Sequence, residues 1–337
     1  MLPEELTEEC KALGVPGYRA GQIFRWLQVD CVESFDEMLN IPSKLRAELN
    51  DSFEIFYCTI ENKQISVYDS TVKYLFRLHD GEFVESVLMK YKYGYSLCVS
   101  SQVGCRMGCR FCASTQGGVV RSLTASEILA QITAAQKDAG VRVSHVVMMG
   151  MGEPLDNYDN SLRFLKLATH PQGLNLSMRN ISLSTCGIVP NINKLADENL
   201  QFTLSVSLHA PNDEIRSAMM PVNRKWPVDE LLHACRAYVN KTSRRISFEY
   251  SMVRGVNDSD ACALELASKL KGMLCHVNLI PVNAVDDTGC IGSSAQRVLQ
   301  FSKILEKHGI NATVRRTLGA DIDAACGQLR KKKMKGE

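Results

Sequence analysis

The sequence predicts an α/β protein: an incomplete (β/α)6-type barrel, preceded by a small helical domain and an antiparallel β extension. Three stretches of different character lead to this expectation. From about Pro3 to Leu49 apolar residues recur at helical spacing, and between Cys58 and Leu97 alternating β-branched and aromatic residues are separated by turn pairs. After Tyr95, short apolar runs alternate with helical stretches, which is typical of βαβ units with right-handed crossovers and a mostly parallel sheet.

The chain of 337 residues is long enough for about two domains or one large one. We place the helical domain at residues 1–57, the β extension at 58–96, the barrel at 97–329 and a basic tail at 330–337. The clearest helix, 125–139, starts with a capping box, Thr124 followed three residues later by Glu127. The other predicted helices are 228–241, 261–271 and 295–308; the predicted strands are 64–68, 72–78, 83–91, 97–101, 145–149, 181–185, 202–208, 246–253, 277–282 and 313–315.

Composition and charge are those of an ordinary globular protein. The chain is 45% hydrophobic and 23% charged, with a net charge of +2, so no strong field indicates a nucleic-acid partner. The charge is uneven: residues 1–60 carry 5 basic and 11 acidic side chains (net −6), and residues 315–337 carry 7 and 3 (net +4). The acidic start lacks the apolar segment of a signal peptide, and no apolar run approaches the ~18 residues of a membrane span. We therefore expect a cytoplasmic protein without a membrane partner.

Thirteen cysteines are the unusual feature of the composition. An odd count without a secretion signal argues against a disulfide scaffold, and most of the thiols are expected to be small buried hydrophobic groups. Three of them, Cys105, Cys109 and Cys112, form a C-x3-C-x2-C loop with Gly104 and Gly108 directly after the first parallel strand. Three thiolates at this spacing can hold an iron–sulfur cluster and leave one iron open to another ligand.

A zinc site, a redox pair and purely structural thiols each fit this cysteine loop less well. A structural zinc site needs a fourth Cys or His, and neither residue type occurs in residues 113–142. A thioredoxin-like pair of Cys109 and Cys112 leaves Cys105 unexplained. Three purely structural thiols in a loop rich in Gly and Arg are at odds with the apolar surroundings in which Cys is usually buried.

The cysteine loop is part of a longer string, CVSSQVGCRMGCRFCAS from Cys98. The loop resembles that of the radical S-adenosylmethionine (radical SAM) superfamily, and the longer string resembles its dual-specificity RNA methyltransferase family. Further strings match that family in order along essentially the whole chain: MMGMGEPLDN from Met148, LSTCG from Leu183, SLHAPN from Ser207, NLIPVN from Asn278 and DIDAACGQL from Asp321. The resemblance implies that the barrel is a radical SAM barrel.

The resemblance also implies an activity. Enzymes of this family methylate carbon 2 of adenosine in 23S ribosomal RNA, at the peptidyl-transferase centre, and in tRNA, at the adenosine 3′ of the anticodon. They use a 4Fe-4S cluster, held here by the cysteine loop, and two S-adenosylmethionine (SAM) molecules per turnover. The first SAM methylates Cys326; the second yields a 5′-deoxyadenosyl radical that takes a hydrogen from this methyl group. Cys98 then resolves the protein–RNA adduct by forming a disulfide bond, and Glu85 matches a carboxylate that acts as proton acceptor in the family.

Polar residues just beyond the predicted strand ends form the expected cofactor site. Such positions line the mouth of an α/β barrel, where sites normally form, although each residue alone is more typical of a turn. Glu153 suits the ammonium group of an amino acid better than a phosphate, which it would repel. In the family, the contacts to SAM fall on the residues that match Gly152, Glu153, Ser184, Ser207, Leu208, His209 and Asn283.

An RNA partner is less visible in the charges. The helical start resembles the RNA-recognising domain of the family, and its acidic charge requires recognition of RNA shape through local basic side chains such as Arg19 and Arg25. An external electron donor of the flavodoxin or ferredoxin type is expected to restore the thiols, and the enzyme is expected to be a monomer. Candidates for phosphate contacts are Arg106, Arg110, Arg121, Arg224, Lys225, Arg244, Arg245, Arg315, Arg316 and the basic run 330–335.

Two other functions remain open from the sequence. A related enzyme that methylates carbon 8 of the same rRNA nucleotide, and so confers antibiotic resistance, would use the same cysteines. A non-enzymatic RNA-binding protein with a structural iron or zinc centre would need neither Glu153 nor Cys326. The position of the methylated carbon distinguishes the two enzymes, and SAM cleavage by the reduced protein distinguishes both from the binding protein.

Overall fold

The computed structural model describes residues 1–281, 291–322 and 328–335. The helices are α1 (Pro3–Ala12), α2 (Tyr18–Gln28), α3 (Ser43–Ser52), α4 (Ala125–Ala139), α5 (Tyr158–Thr169), α6 (Val189–Asp197), α7 (Asp213–Met219), α8 (Val228–Thr242), α9 (Asp260–Leu270), α10 (Ala295–Lys307) and α11 (Gln328–Lys335). The strands are β1 (Thr59–Ile65), β2 (Val72–Arg77), β3 (Phe83–Tyr91), β4 (Gly94–Cys98), β5 (Gln102–Gly104), β6 (Val119–Ser122), β7 (Val143–Met148), β8 (Ile181–Thr185), β9 (Thr203–Ser207), β10 (Ile246–Met252), β11 (Cys275–Pro281) and β12 (Ala312–Val314).

Ten strands form one mixed sheet in the order β1-β2-β3-β4-β7-β8-β9-β10-β11-β12. The strands from β1 to β4 pair antiparallel, and every neighbouring pair from β4 onwards is parallel. Each parallel step contains at least one helix, as a crossover connection requires. The predicted α/β fold with its small helical N-terminal region is confirmed. The β extension continues the barrel sheet, because β3 pairs directly with β4.

The best predicted elements carry their own start and stop signals. Strand β8 and helix α4 have the predicted bounds. At the start of α4, the Thr124 hydroxyl accepts the N–H of Glu127 at 3.2 Å, and the Glu127 carboxylate accepts the N–H of Thr124 at 2.9 Å. The predicted position of β1 is wrong: the strand begins at Thr59 rather than residue 64. Residues 61–64 are all polar, so the middle of the strand lacks the alternation of apolar and polar residues that predicts a strand. An edge strand with one exposed side tolerates such a polar run.

The antiparallel pair β5–β6 frames the cysteine loop, and the sequence pattern does not predict it. At Gly104 the backbone has a φ of +79°, and a Cβ there would lie 2.0 Å from the carbonyl oxygen of Gly118. Only glycine allows this approach. The next residue, Cys105, donates its N–H to the same carbonyl at 2.9 Å. The first cysteine of the loop is thereby fixed to the strand pair.

The N-terminal helices share the hydrophobic core of the barrel. Helix α2 buries Ile23 and Phe24, and the Phe24 ring meets the His170 ring edge-on, with the centroids 5.0 Å apart. The helical region is therefore packed against the end of α5. Within the described ranges, no helix has both the length and the apolar character needed to cross a membrane.

The basic C-terminal run forms α11, which packs on the β extension and is not a free tail. Arg330 is buried, and its Nη2 lies 3.2 Å from Glu82 Oε2. Lys333 Nζ lies 2.7 Å from Glu61 Oε1. These two cations already have acidic partners within the chain, so they are poorly placed to serve as the phosphate contacts expected of the run.

A buried ion pair joins this helix to the sheet. Lys73 Nζ on β2 lies 2.6 Å from Glu85 Oε2 on β3, and the two side chains are 0% and 1% exposed. Glu85 Oε1 also accepts the backbone N–H of Arg330 at 2.7 Å. Glu85 is therefore buried and not solvated, because its carboxylate contacts both Lys73 on β2 and the start of α11.

We expect Glu85→Gln to lower the free energy of unfolding by about 3–5 kcal/mol, because it removes the carboxylate that neutralises the buried Lys73 charge. The double variant Lys73→Met/Glu85→Gln should regain most of this loss, since Gln still accepts the Arg330 N–H and Met fills the space of the lysine stem. Urea unfolding of the three proteins measures both effects. Equal stability of Glu85→Gln and wild type would contradict a structural role, and loss of turnover alone would favour the proton-acceptor role.

Candidate functional site

A cavity of about 370 Å³ lies at the carboxyl ends of the parallel strands. Its walls come from the ends of β4 and β7 to β11, from β3, from the cysteine loop and from residues 315–318 after β12. Neither Glu85 nor Leu208 lines it, and Asn283 and Cys326 lie outside the described residues. The residues predicted to take part in catalysis, cofactor binding or cluster binding that do line it are Cys98, Cys105, Cys109, Cys112, Gly152, Glu153, Ser184, Ser207 and His209.

The cysteine loop is held at both ends. Beyond the fixed Cys105, the N–H of Arg110 donates to the carbonyl of Met219 on α7 at 3.0 Å. Burial raises the pKa of Cys105 to about 12 and that of Cys109 well above its usual range, and the neighbouring thiols and Glu153 add to both shifts. These two thiols therefore stay protonated at neutral pH until a metal centre displaces their protons.

The donor set, three cysteine thiols from one loop, is of the kind that holds iron–sulfur clusters. A cluster is larger than one ion, so its thiolate ligands stand further apart than the ligands of a tetrahedral zinc. Three thiols from one loop, all lining a cavity with room for a further ligand, fit a cluster with one open coordination position.

Glu153 is a buried carboxylate between the ends of β7 and β8. Its Oε1 accepts the N–H of Leu155 at 2.9 Å, and its Oε2 accepts the N–H of Cys186 at 2.6 Å. Burial raises the pKa of Glu153, and these two N–H groups oppose the shift. The preceding Gly152 has a φ of +97°, and a Cβ there would lie 2.6 Å from Gln102 Cβ. The carboxylate is thus fixed in a cavity wall, where a cationic group would stabilise its charge.

His209 and Leu208 are neighbours with different surroundings. His209 Nδ1 accepts the N–H of Ser251 at 2.9 Å, which leaves the proton of the neutral ring on Nε2. Burial lowers the pKa of His209 to about 3, and the ring of Phe111 from the cysteine loop meets it edge-on at 4.9 Å between centroids. Leu208 is fully buried in the core, and its N–H donates to the carbonyl of Glu249. The structure therefore brings His209, but not Leu208, to the cavity.

Glu249 is a cavity-lining residue that the sequence analysis does not single out. Its carboxylate accepts the Asn278 amide at 2.7 Å and the Ser247 hydroxyl at 3.1 Å. Burial raises its pKa. The sequence does contain a signal for Glu249: it is a lone glutamate between Phe248 and Tyr250 in a predicted barrel strand. A charge in such a strand needs a dedicated polar partner.

The basic side chains near the cavity differ in their availability. Arg106 ion-pairs with Asp156, with 2.6 Å between Nη2 and Oδ1, and Arg121 is likewise held by two carboxylates. Arg315 and Arg316 are exposed and line the cavity. Of the predicted phosphate contacts, these two are therefore the best placed to meet a polyanion that enters the cavity.

Comparison with known proteins first defines the class. The profile of the Radical SAM superfamily matches residues 99–267, a span that includes the cysteine loop and the strands from β7 to β10. The profile described as the ribosomal RNA large subunit methyltransferase N-terminal domain matches residues 1–55. The parallel strands, with three cysteines after the first of them, agree with the superfamily match. Together they identify the chain as a radical SAM enzyme.

Curated relatives narrow the class to one family. The chain is 53% identical over 331 residues to a protein of Lachnospira eligens (98% of this chain, 95% of that one). It is 50% identical over 335 residues to one of Thermoanaerobacter sp. (99% and 98%). Both carry the name Probable dual-specificity RNA methyltransferase RlmN. The crystal structure of a radical SAM methyltransferase from Sphaerobacter thermophilus superposes with a TM-score of 0.93 at 46% identity over 97% of each chain.

The chain belongs to the RlmN family of dual-specificity RNA methyltransferases. It is an enzyme, a radical SAM RNA methyltransferase, and the resemblance found from its motifs is confirmed. A 4Fe-4S cluster and SAM follow from the superfamily, and RNA follows as the substrate class.

Proposed function

We propose that the protein methylates carbon 2 of adenosine, in the peptidyl-transferase centre of 23S rRNA and 3′ of the anticodon in tRNAs. The observation that supports this most is the shared cavity, in which Cys98 lies together with the cysteine loop and Glu153. Carbon 2 of adenine is electron-poor and offers no nucleophile for a simple methyl transfer. Methylation of such a carbon needs a different route, for which this site offers both a cluster-binding loop and a separate thiol.

The walls of the cavity suggest how the cofactors are held. The cysteine loop would hold the 4Fe-4S cluster, and the Glu153 carboxylate would pair with the ammonium group of SAM. Ser184, Ser207 and His209 line the same cavity and would complete the contacts, with Asn283 as a further proposed contact outside the described residues. When bound, the reduced cluster supplies the electron that splits SAM and generates a 5′-deoxyadenosyl radical. Two SAM molecules are consumed in each turnover in this proposal.

The surroundings of Cys98 support its proposed role as the resolving thiol. It ends β4, is 6% exposed, and packs against Val87 and Met89 of β3 in the cavity wall. The eleven described cysteines form no disulfide bond with one another. The partner proposed for Cys98 is Cys326, the methyl carrier, which lies outside the described residues.

The β extension anchors the described residues on both sides of Cys326. Before it, the carboxylate of Asp321 accepts the hydroxyl of Ser66 at 2.5 Å and the N–H of Val67 at 2.8 Å. After it, Arg330 donates its N–H to Glu85. The segment that carries the methyl carrier therefore starts and ends at fixed points beside β1, β2 and β3. A proton-acceptor role for Glu85 stays a prediction.

The partners we propose follow from this chemistry. The helical N-terminal region would recognise folded rRNA and tRNA, with Arg315 and Arg316 meeting phosphates at the cavity. An electron-donor protein of the flavodoxin or ferredoxin type would reduce the cluster and restore the thiols. The enzyme would act as a cytoplasmic monomer.

Mass spectrometry of nucleosides from rRNA and tRNA tests the substrate. We expect 2-methyladenosine to be absent from both RNAs in a strain that lacks the gene and to return when the gene is supplied. A copy with Cys105→Ala is the matched control and should restore nothing. Loss of 8-methyladenosine instead would place the chain with the carbon 8 enzymes, and unchanged nucleosides would contradict RNA methylation.

A further inference from the structure

Arg216 is a cation enclosed in the protein behind the cavity wall. Its side chain, on α7, is 0% exposed. The guanidinium donates to neutral oxygens: the carbonyls of Cys186 at 2.7 Å, Ser207 at 3.0 Å and Leu208 at 3.0 Å, and the Asn223 amide oxygen at 3.0 Å. A buried charge held by neutral dipoles keeps its field, because little water or salt is near enough to screen it.

The position of Arg216 links the two halves of the proposed cofactor site. The carbonyls that it holds lie at the ends of β8 and β9, next to the predicted SAM contacts. Less than one turn further along the same helix, the carbonyl of Met219 accepts the N–H of Arg110 from the cysteine loop. Cys186, whose carbonyl accepts from Arg216, donates its own N–H to Glu153, and both of these residues line the same cavity as the cysteine loop.

We propose that Arg216 is a positioning residue whose fixed charge sets the reduction potential of the cluster held by the cysteine loop. The inference rests on the proposed function, since it takes the loop as the cluster site. In the step concerned, one electron passes from the external flavodoxin- or ferredoxin-type donor to the cluster, and the donor is oxidised. The cluster becomes more negative, and a nearby unscreened cation stabilises that form. Arg216 therefore makes the cluster easier to reduce.

A swap of two side chains tests this without altering Arg216. Asn223 separates Arg216 from Asp213, since its Nδ2 donates to Asp213 Oδ1 at 2.9 Å. In Asp213→Asn/Asn223→Asp the carboxylate at position 223 still accepts the guanidinium of Arg216. The amide at position 213 can meet either that carboxylate or the N–H of Val228, since Asp213 Oδ1 accepts both bonds in the wild-type protein. The net charge is kept, while the carboxylate moves into contact with the guanidinium and cancels its field.

The measurement is a redox titration of the reconstituted protein without SAM, followed by electron paramagnetic resonance. The swap should lower the equilibrium constant for one-electron reduction about tenfold, a shift of about 59 mV to more negative potential. Asp213→Asn alone is the control and should leave the potential near that of wild type. Iron content and melting temperature show that each variant is folded and loaded.

A swapped protein with full iron loading and the wild-type potential would overturn the inference. If the swapped protein does not bind iron, the reduction potentials of Arg216→Lys and Arg216→Gln test the inference. Arg216→Lys should keep the wild-type potential, and Arg216→Gln should have a more negative one. Equal potentials for these two variants would also overturn the inference. A wild-type protein without a cluster signal would instead contradict the proposed function itself.

Discussion

Replacement of Cys98 by alanine is expected to stop turnover after the new carbon–carbon bond has formed and to trap the protein covalently on its RNA. Cys98 is buried in the wall of the cavity that also contains the cysteine loop. In our proposal the Cys98 thiolate attacks the sulfur of Cys326, so that an S–S bond forms while the bond between that sulfur and the methylene carbon breaks. The released carbon takes up a proton to give the methyl product, and an alanine side chain cannot perform this step. Multiple-turnover product should fall by roughly 10⁶-fold, as when an essential nucleophile is removed from another enzyme.

The trapped complex is visible as a labelled RNA fragment that stays with the protein on a denaturing gel. The double variant Cys98→Ala/Cys326→Ala should form none, because the attachment point is gone. Cys58→Ala serves as a matched control, since Cys58 is buried at 7% exposure but does not line the cavity. Normal turnover by Cys98→Ala would refute its assignment.

The second large effect is expected at the cluster. Cys109→Ala should reduce bound iron from about four per chain to background and abolish SAM cleavage, because two thiolates cannot hold a 4Fe-4S cluster with one open position. Cys109 is 9% exposed and lines the cavity, so its loss should leave the rest of the fold in place. Anaerobic reconstitution with iron analysis and visible absorbance measures the result.

Cys235 provides the control for this experiment. It is fully buried on α8, away from the cavity, and burial raises its pKa to about 12. Cys235→Ala should bind as much iron as wild type. Retention of iron and brown colour by Cys109→Ala would contradict the cluster assignment, as would a wild-type protein that binds only zinc.

Local signals explain which parts of the fold the sequence predicts. Helix α4 is specified by its capping box and by Gly140 at its end, which has a φ of +61°. The β5–β6 pair is not predictable in this way, because its strands are short and depend on the approach of Gly104 to Gly118 across the cysteine loop. Such a contact becomes evident only when both ends of the loop are placed.

The same distinction applies to the site. Ser184, Ser207 and His209 could be found because the carboxyl ends of parallel strands meet at one edge of the sheet. Leu208, next to His209, turns into the core instead. The buried charge of Arg216 depends on partners that only folding brings together, so an isolated sequence gives little sign of it.

The fate of the methyl hydrogens tests the central claim most directly. The measurement uses reconstituted protein, an electron donor, RNA and SAM with a trideuterated methyl group, followed by mass spectrometry of the nucleosides. If the methyl group passes through Cys326 and loses one hydrogen to the 5′-deoxyadenosyl radical, the product is 2-methyladenosine with two deuterium atoms, and 5′-deoxyadenosine carries the third. A methyl group with all three deuterium atoms, or one placed on carbon 8, would contradict the account.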